Sequence, residues 1–322
     1  MPMTPPLQLR VRAITWEAEG ILGFELVPLS ANTLLPPVVA GAHINLQLQP
    51  GLLRSYSLLN APGERQRYNI AVNRDAHSRG GSRHLHTQVR PGDVLEVSPP
   101  ANNFPLDEAA PHSLLIAGGI GITPILAMAR RLSALGRPWQ GVYAARSRAS
   151  AAFVPTLQAL ADEAGAGMQL HFDDEHGGRP LDLAAVVAAA PHDAHLYCCG
   201  PLPMLGAFEA ASAGWPRPQV HLEYFAAKDA PATAGGYTVT LQRSGRSVAV
   251  LPGQSLLASV RSLGIEPPYS CEQGICGTCE VRVLAGTPDH RDLVLSDAEK
   301  AANDRMMICC SGAQSATLVI DL

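Results

Sequence analysis

Hydrophobic positions fall into three successive patterns along the chain. Over residues 7–100 short alternating runs dominate: Leu7, Leu9, Val11 and Ala13; Ile44, Leu46 and Leu48; and, more weakly, Val94, Leu95 and Val97. A period of two broken by turn residues predicts an antiparallel barrel or sandwich. One helix is expected there, opening at Gly81-Ser82 and running to about Val89. From Ser113 the pattern changes to strand, helix, strand, helix. Leu114–Ala117 reads as a buried strand, Gly118–Gly121 as a turn, and a helix follows through Leu135. Strands at Gly141–Ala145, Met168–Phe172, His195–Cys199 and Val220–Phe225 alternate with helices at Phe153–Gly165, Leu181–Ala190 and Leu202–Ala213. That alternation predicts a doubly wound parallel sheet. Ala226–Gly236, rich in Ala, Pro, Thr and Gly without periodicity, reads as a flexible linker. Beyond it, Tyr237–Gln242 and Arg246–Leu251 flank Ser244-Gly245 as a hairpin, Gln254–Leu263 is helical, and a cysteine-rich loop follows. The expected domains are residues 1–106, 107–225 and 237–322, with 226–236 as the linker and Pro105–His112 as the first boundary.

Composition narrows the function classes. Of 322 residues 47% are hydrophobic and only 16% charged, which excludes disorder and a polyelectrolyte role. A net charge of −4, with Lys228 and Lys300 the only lysines, leaves no basic surplus for a nucleic-acid backbone. The few aromatic residues make no base-stacking platform. The Met1–Pro6 start lacks the charged and apolar regions of a signal peptide. The longest apolar run, Leu114–Ala129, is shorter than the ~20 residues of a membrane span and is interrupted by Gly and Pro. The expectation is a cytoplasmic protein with neither nucleic-acid nor membrane partner. Seven cysteines, four of them in the adjacent pairs Cys198–Cys199 and Cys309–Cys310, make a poor disulfide framework. In a reducing compartment such clustering points to metal or catalysis.

The run Cys271-Glu-Gln-Gly-Ile-Cys276-Gly-Thr-Cys279 has C-x4-C-x2-C spacing, and Cys309 follows after 29 residues. This is the plant-type [2Fe–2S] arrangement, in which four thiolates hold two irons. Zinc sites use two closely spaced pairs instead. Gly274 and Gly277 suit a chain that wraps closely around an inorganic core. Cys309 and Cys310 compete for the fourth position. The region resembles the ferredoxin domain of the phthalate dioxygenase reductase and vanillate O-demethylase reductase family. That resemblance implies a β-grasp fold and makes Cys309 the ligand, with Cys310 a packing residue.

The resemblance extends over nearly the whole chain. Arg54-Ser55-Tyr56-Ser57 matches the R-x-Y-[ST] flavin motif of the ferredoxin–NADP reductase superfamily. A strand there presents Arg54 to a phosphate, the Tyr56 ring to the isoalloxazine or ribityl chain, and the Ser57 hydroxyl to the flavin edge. Arg79-Gly80-Gly81-Ser82 opens the one expected helix of that block, and a glycine-rich helix start is a ready phosphate site. In the family this is where the phosphate of FMN, rather than FAD, sits, and Ile70-Ala71-Val72 aligns with the strand lining the flavin. Gly118-Gly119-Ile120-Gly121-Ile122-Thr123-Pro124 follows a strand and starts a helix as a dinucleotide loop does, but Pro124 takes the place of the third Gly. It resembles the superfamily's G-G-x-G-x-[ST]-P loop, and Cys199-Gly200-Pro201 its C-G-P motif, whose Cys lies near the nicotinamide. Cys198 is expected to be a packed core thiol. His221, Glu223 and Phe225 match an H-x-E-x-F pattern, in which Phe225 covers the flavin until nicotinamide displaces it.

Arg146-Ser147-Arg148, after the second strand of the block, offers a grip for a 2′-phosphate. The family's usual donor is NADH, and Asp173-Asp174-Glu175 adds negative charge, so NADH is expected with NADPH as the alternative. The acidic run with His176 reads as a solvated turn before Gly177-Gly178 rather than a metal site. Nicotinamide gives two electrons as hydride, a [2Fe–2S] cluster takes one at a time, and a flavin connects them. The three together imply a transducer serving an outside acceptor. The resemblance makes that acceptor a Rieske-type oxygenase acting on an aromatic acid or a methoxylated aromatic. A reductase for a cytochrome P450 or another acceptor, and a non-enzymatic iron–sulfur redox sensor, are the alternatives.

Overall fold

A computed structural model describes residues 5–50, 52–76 and 78–322; the Met1–Thr4 start lies outside them. The chain divides into two compact units, residues 1–223 and 224–322.

The first unit begins with antiparallel strands β1 (Leu7–Ala18), β2 (Ile21–Pro28), β3 (Ala42–Gln49), β4 (Leu52–Ser57), β5 (Tyr68–Asn73), β6 (Val94–Val97) and the short β7 (Ala101–Asn102), with helix α1 (Gly81–Thr87) after β5. Their order is β4-β3-β6-β1-β2-β5, with β7 on β3. The two ends are joined where the Leu59 amide just past β4 donates to the Asn69 carbonyl of β5 (2.9 Å), which closes a barrel. Alternation explains the interior: Leu9, Val11, Ile44, Leu46, Leu95 and Val97 are buried together with Phe24, Tyr68 and Leu85. Val94 departs from the predicted run. It is 44% exposed, because in a four-residue strand only Leu95 and Val97 share the inward face.

The rest of the unit alternates β8 (His112–Gly118), α2 (Ile122–Ala134), β9 (Trp139–Ala145), α3 (Val154–Ala164), β10 (Gly167–Phe172), α4 (Leu183–Ala188), β11 (Ala194–Cys199), α5 (Leu202–Ala211) and β12 (Val220–Glu223). The sheet is parallel throughout, in the order β10-β9-β8-β11-β12. Strand order reverses between β8 and β11, the switch point where open α/β sheets bind ligands at their strand C-termini. Helix α2 buries all of Ile122–Ala129, which is why the run there is apolar. The expected helices exist but are shorter, α3 and α4 at both ends and α2 and α5 at the C-terminus alone. Phe153 and Gly165, for example, are left-handed caps of α3 rather than members of it.

The second unit holds β13 (Tyr237–Leu241), β14 (Arg246–Val250), α6 (Leu256–Arg261), β15 (Glu280–Ala285), β16 (Pro288–Asp289), α7 (Asp297–Ala302), β17 (Arg305–Met307), β18 (Gly312–Ala313) and β19 (Thr317–Ile320). Its main sheet runs β14-β13-β19-β15-β17 with β13 parallel to β19, a β-grasp that closes over α6. Val239, Leu241, Leu256, Val260, Met306, Ile308, Leu318 and Ile320 are its core. Within this unit the Ala232 amide donates to the Cys310 carbonyl (2.7 Å) and the Gly253 amide to the Thr233 carbonyl (2.8 Å). Among the described residues no helix is long and apolar enough to cross a membrane.

Candidate functional site

In the first unit the sequence-predicted residues gather at two neighbouring places. At the barrel, β4 carries Arg54, Tyr56 and Ser57, paired with β3. The Arg54 guanidinium donates to the carbonyls of Leu53 (2.7 Å) and Arg79 (2.9 Å). Its side chain lies so close to the start of α1 that a Cβ on Gly81 would come within 2.5 Å of the Arg54 Cγ. Gly80 before it has φ 98°, and no side chain caps the helix start. Ser82 faces back instead, its Oγ donating to Ser78 (2.9 Å) and accepting from the Asp75 amide. Arg54 and the uncapped amides of Gly81 and Ser82 thus share one corner, a donor set that suits a single phosphate. Burial raises the Tyr56 hydroxyl pKa, so its ring acts as a neutral, flat surface. On β5, Ala71 and Val72 are buried, and the Val72 carbonyl is 2.9 Å from the His86 ring.

At the switch point the loops after β8 and β11 interlock. A Cβ on Gly121 would sit 2.1 Å from the Cys199 carbonyl oxygen, and one on Gly118 would strike Pro201 and the Met204 sulfur. Only glycine backbone lets the Gly118–Gly121 turn rest on Cys199-Gly200-Pro201. Gly119 adopts φ 53°. Thr123 is buried and its hydroxyl donates to the Ile120 carbonyl (3.0 Å). Pro124 falls in the first turn of α2, where the missing N–H costs no helix bond. Pro201 precedes α5 and serves as its N-cap.

Glu223 was not among the predicted site residues, yet it joins the two places. It pairs with Cys199 in the β11–β12 register, accepts from the Cys199 thiol across 3.9 Å, and is hydrogen-bonded to Ser57 from the barrel. Burial pushes its carboxyl pKa up to about 8, against the opposing pull of Ser57 and Cys199. The Cys199 thiol is itself held well above its usual range, by burial and then by Glu223. The H-x-E spacing put Glu223 on a strand, but its partners come from two other elements that only the fold supplies. Cys198 points to the opposite face and is wholly buried, as a packed core thiol. His221 lies flat on Tyr197 (4.3 Å between rings) and 3.1 Å from His195; burial and then His195 lower its pKa to about 4. Phe225, two residues beyond Glu223, belongs to the second unit and is 38% exposed.

In the second unit Cys271, Cys276, Cys279 and Cys309 are all buried and come together. The Cys271 thiol interacts with those of Cys276 and Cys309, and Cys279 with Cys309. Amides point at the sulfurs, Gln273 N–H to Cys271 (3.3 Å) and Cys271 N–H to Cys276 (3.5 Å). Cys310 turns the other way, toward the Met307 carbonyl (3.7 Å) and the Ser311 hydroxyl (3.8 Å). A Cβ on Gly274 would meet the Cys310 sulfur at 2.4 Å, so Cys310 packs under the loop rather than into it. The Cys276 thiol pKa is raised by Cys271 and by burial, and that of Cys279 by Cys309 and by burial. Thiols this close cannot ionise together unless a cationic core neutralises them, and that donor chemistry fits an iron–sulfur cluster.

Residues 239–314 match the 2Fe-2S iron-sulfur cluster binding domain family. Over 317 residues, 98% of this chain and 98% of the relative, the chain is 54% identical to phenoxybenzoate dioxygenase subunit beta of Ectopseudomonas oleovorans. It is 44% identical over 321 residues to vanillate O-demethylase oxidoreductase of a Pseudomonas sp., covering 98% of this chain and all of that one. Among solved structures, phthalate dioxygenase reductase, described as transferring electrons from pyridine nucleotides to [2Fe–2S], matches with TM-score 0.73 and 39% identity over 98% of both chains. A type IV self-sufficient cytochrome P450 monooxygenase matches with TM-score 0.87 and 38% identity over 98% of this chain; the chain spans 41% of the length of that protein. The barrel, the parallel sheet and the cluster-binding β-grasp, in this order and at this identity, make the chain an oxidoreductase of the phthalate dioxygenase reductase and vanillate O-demethylase reductase family, the reductase components of oxygenase systems.

Proposed function

We propose that this chain takes hydride from NADH at the β8–β11 switch point and delivers single electrons, through FMN and a [2Fe–2S] cluster, to a Rieske-type oxygenase acting on an aromatic acid or a methoxylated aromatic. The observation that carries the reading is that one chain holds both the Ser57–Cys199–Glu223 junction and the cluster of four thiols. When bound, FMN accepts two electrons together and releases them singly, and the cluster carries one.

The chain's own groups prepare each transfer. Arg54 and the Gly80, Gly81 and Ser82 turn hold the flavin phosphate, while Tyr56, Ala71 and Val72 line the flavin and Ser57 meets its edge. Gly118, Gly119, Gly121, Thr123 and Pro124 hold the nicotinamide nucleotide against Cys199, Gly200 and Pro201. Glu223, with its raised pKa, keeps a proton on its carboxyl at neutral pH beside Ser57 and Cys199. A neutral acid there presents no buried negative charge to the hydride's path and stabilises Ser57 in place. Cys271, Cys276, Cys279 and Cys309 ligate the cluster. The likeness to the reductase part of a self-sufficient P450 supports a second reading, with a P450 as acceptor.

Mixing NADH, the full-length protein and a purified Rieske oxygenase with its aromatic substrate tests the proposal. Oxygen uptake matched to product is the expected result. Turnover only with a P450 would replace the acceptor, and turnover with neither would reject the oxygenase reading.

A further inference from the structure

The barrel and the parallel sheet of the first unit share one apolar core. Leu59, Ala71 and Phe104 of the barrel lie in the same buried cluster as Leu115 of β8 and Ile122 and Ile125 of α2. Apolar burial is non-directional, so it joins the two halves without fixing the angle between them. Hydrogen bonds that cross the seam have direction and can fix it. One is already described: Glu223 of β12, beside Cys199, is bonded to Ser57 at the end of β4. A single point of this kind is a pivot.

A second bond closes the frame. Arg130, past the second turn of α2, donates from Nη1 to the Leu59 carbonyl. Leu59 stands two residues beyond Ser57 on the chain that leaves β4. Its backbone is already pinned: the Leu58 amide donates to the Ala42 carbonyl and the Leu59 amide to the Asn69 carbonyl, each at 2.9 Å. Helix α2 begins at Ile122, directly after the Gly118–Gly121 turn that rests on Cys199. One helix therefore carries the nucleotide loop at its start and a grip on the flavin strand at Arg130, about 12 Å along its axis. We propose that Arg130 is a positioning residue for hydride transfer, fixing the flavin strand relative to the helix that bears the nucleotide loop. This rests on the reading of the first unit as a nicotinamide-oxidising site.

The nature of the acceptor matters. A side-chain partner could follow a moving arginine, whereas a carbonyl held on both sides by the barrel cannot. The Arg130 side chain is half-buried, and burial lowers its pKa against the opposing pull of Glu64. Arg131 gives the contrast on the same helix. It donates through Nε and Nη2 to Glu108, at 2.7 Å each, in the segment that leads into β8. That pair ties α2 to its own half. Another crossing joins the Glu19 amide to the Ala149 carbonyl (2.9 Å), but neither end belongs to β4 or α2. Transfer requires reacting atoms about 3–3.5 Å apart, and a shift of about 1 Å can slow it about 100-fold. A small angular freedom is thus felt by the rate before it is felt by nucleotide binding.

The test follows flavin reduction by NADH in the full-length holoenzyme by stopped flow, and hydrogen exchange in the apoprotein. Arg130→Met keeps the bulk of the stem and removes the donor. It should slow reduction at saturating NADH about 10–100-fold while NADH affinity and FMN content stay at wild-type values. The primary isotope effect with NADH deuterated at C4 should rise. Arg130→Lys should recover part of the rate, and Arg131→Met, which removes a bidentate pair from the same helix, should leave it unchanged. In the apoprotein the Leu58 and Leu59 amides should exchange faster in Arg130→Met and not in Arg131→Met. A wild-type rate in Arg130→Met, or an equal loss in Arg131→Met, overturns the proposal. Should Arg130→Met fail to hold FMN, Arg130→Lys decides. A reduced rate there with unchanged NADH affinity supports positioning, and a wild-type rate assigns Arg130 to folding alone. A wild type that NADH does not reduce overturns the hydride reading as well.

Discussion

Ser57, Cys199 and Glu223 reach one another from three separate strands, whereas Cys271, Cys276 and Cys279 leave a single loop and await only Cys309. The first site is made of backbone approach, one buried acid and a glycine contact between two turns. The second is made of thiols whose spacing along the chain already encodes the geometry. A site of the first kind tolerates no misplacement of whole elements. One of the second kind depends on individual side chains, since each thiolate is a bond to metal.

The sharpest way to break this contrast is at the thiols. Cys309→Ala should abolish the visible and EPR signals of the cluster, while Cys310→Ala, whose sulfur faces Met307 and Ser311, should retain them. The reverse outcome would move the ligand by one residue. Separating the sites comes next. A truncation ending near Ala230, before Ala232 and Thr233 make their hydrogen bonds with Cys310 and Gly253, should bind FMN and reduce ferricyanide with NADH, yet fail with cytochrome c or a Rieske partner. Full oxygenase turnover without the second unit would show that the flavin reaches the partner directly.

Smaller effects sharpen the description of the first site. Arg54→Ala should weaken FMN retention by roughly 10–150-fold, since a charged hydrogen bond contributes about 1.5–3 kcal/mol. Ultrafiltration with flavin fluorescence reads this directly, and acid-released FAD would overturn the phosphate assignment. Glu223 should leave a signature in pH. Its carboxyl titrates near 8 in the folded chain against 4.5 as the ordinary value, so the folded state binds more protons between those values. Stability therefore falls as pH rises through that window and levels off above it, by on the order of a few kcal/mol in total. Glu223→Gln, which cannot titrate, should flatten thermal midpoints measured from pH 5 to 9. An equally steep decline in the variant would place the proton elsewhere.

Much of this was legible before any fold was known, for stated reasons. The Leu114–Ala117 run, its glycine turn and the helix behind it are local, and the period change at Ser113 follows from which faces are buried. The Cys271–Cys279 spacing is likewise a property of one segment. Helix ends were less legible, because caps such as Phe153 in a left-handed conformation are set by neighbouring packing.

What the chain determined by itself is everything written within a few residues: strand and helix periods, the metal-ligand spacing, the glycine turns. The tertiary structure alone decided the rest. It placed Glu223 opposite Cys199 and within reach of Ser57, and it set Cys309 beside the other thiols, as the resemblance of the cysteine-rich segment implied. It also closed Arg148 onto Glu175 over Phe172. The first depends on strand register, the others on how turns at the ends of strands are packed. A one-residue slip of β12 would turn Glu223 away from Cys199 without altering a single local motif.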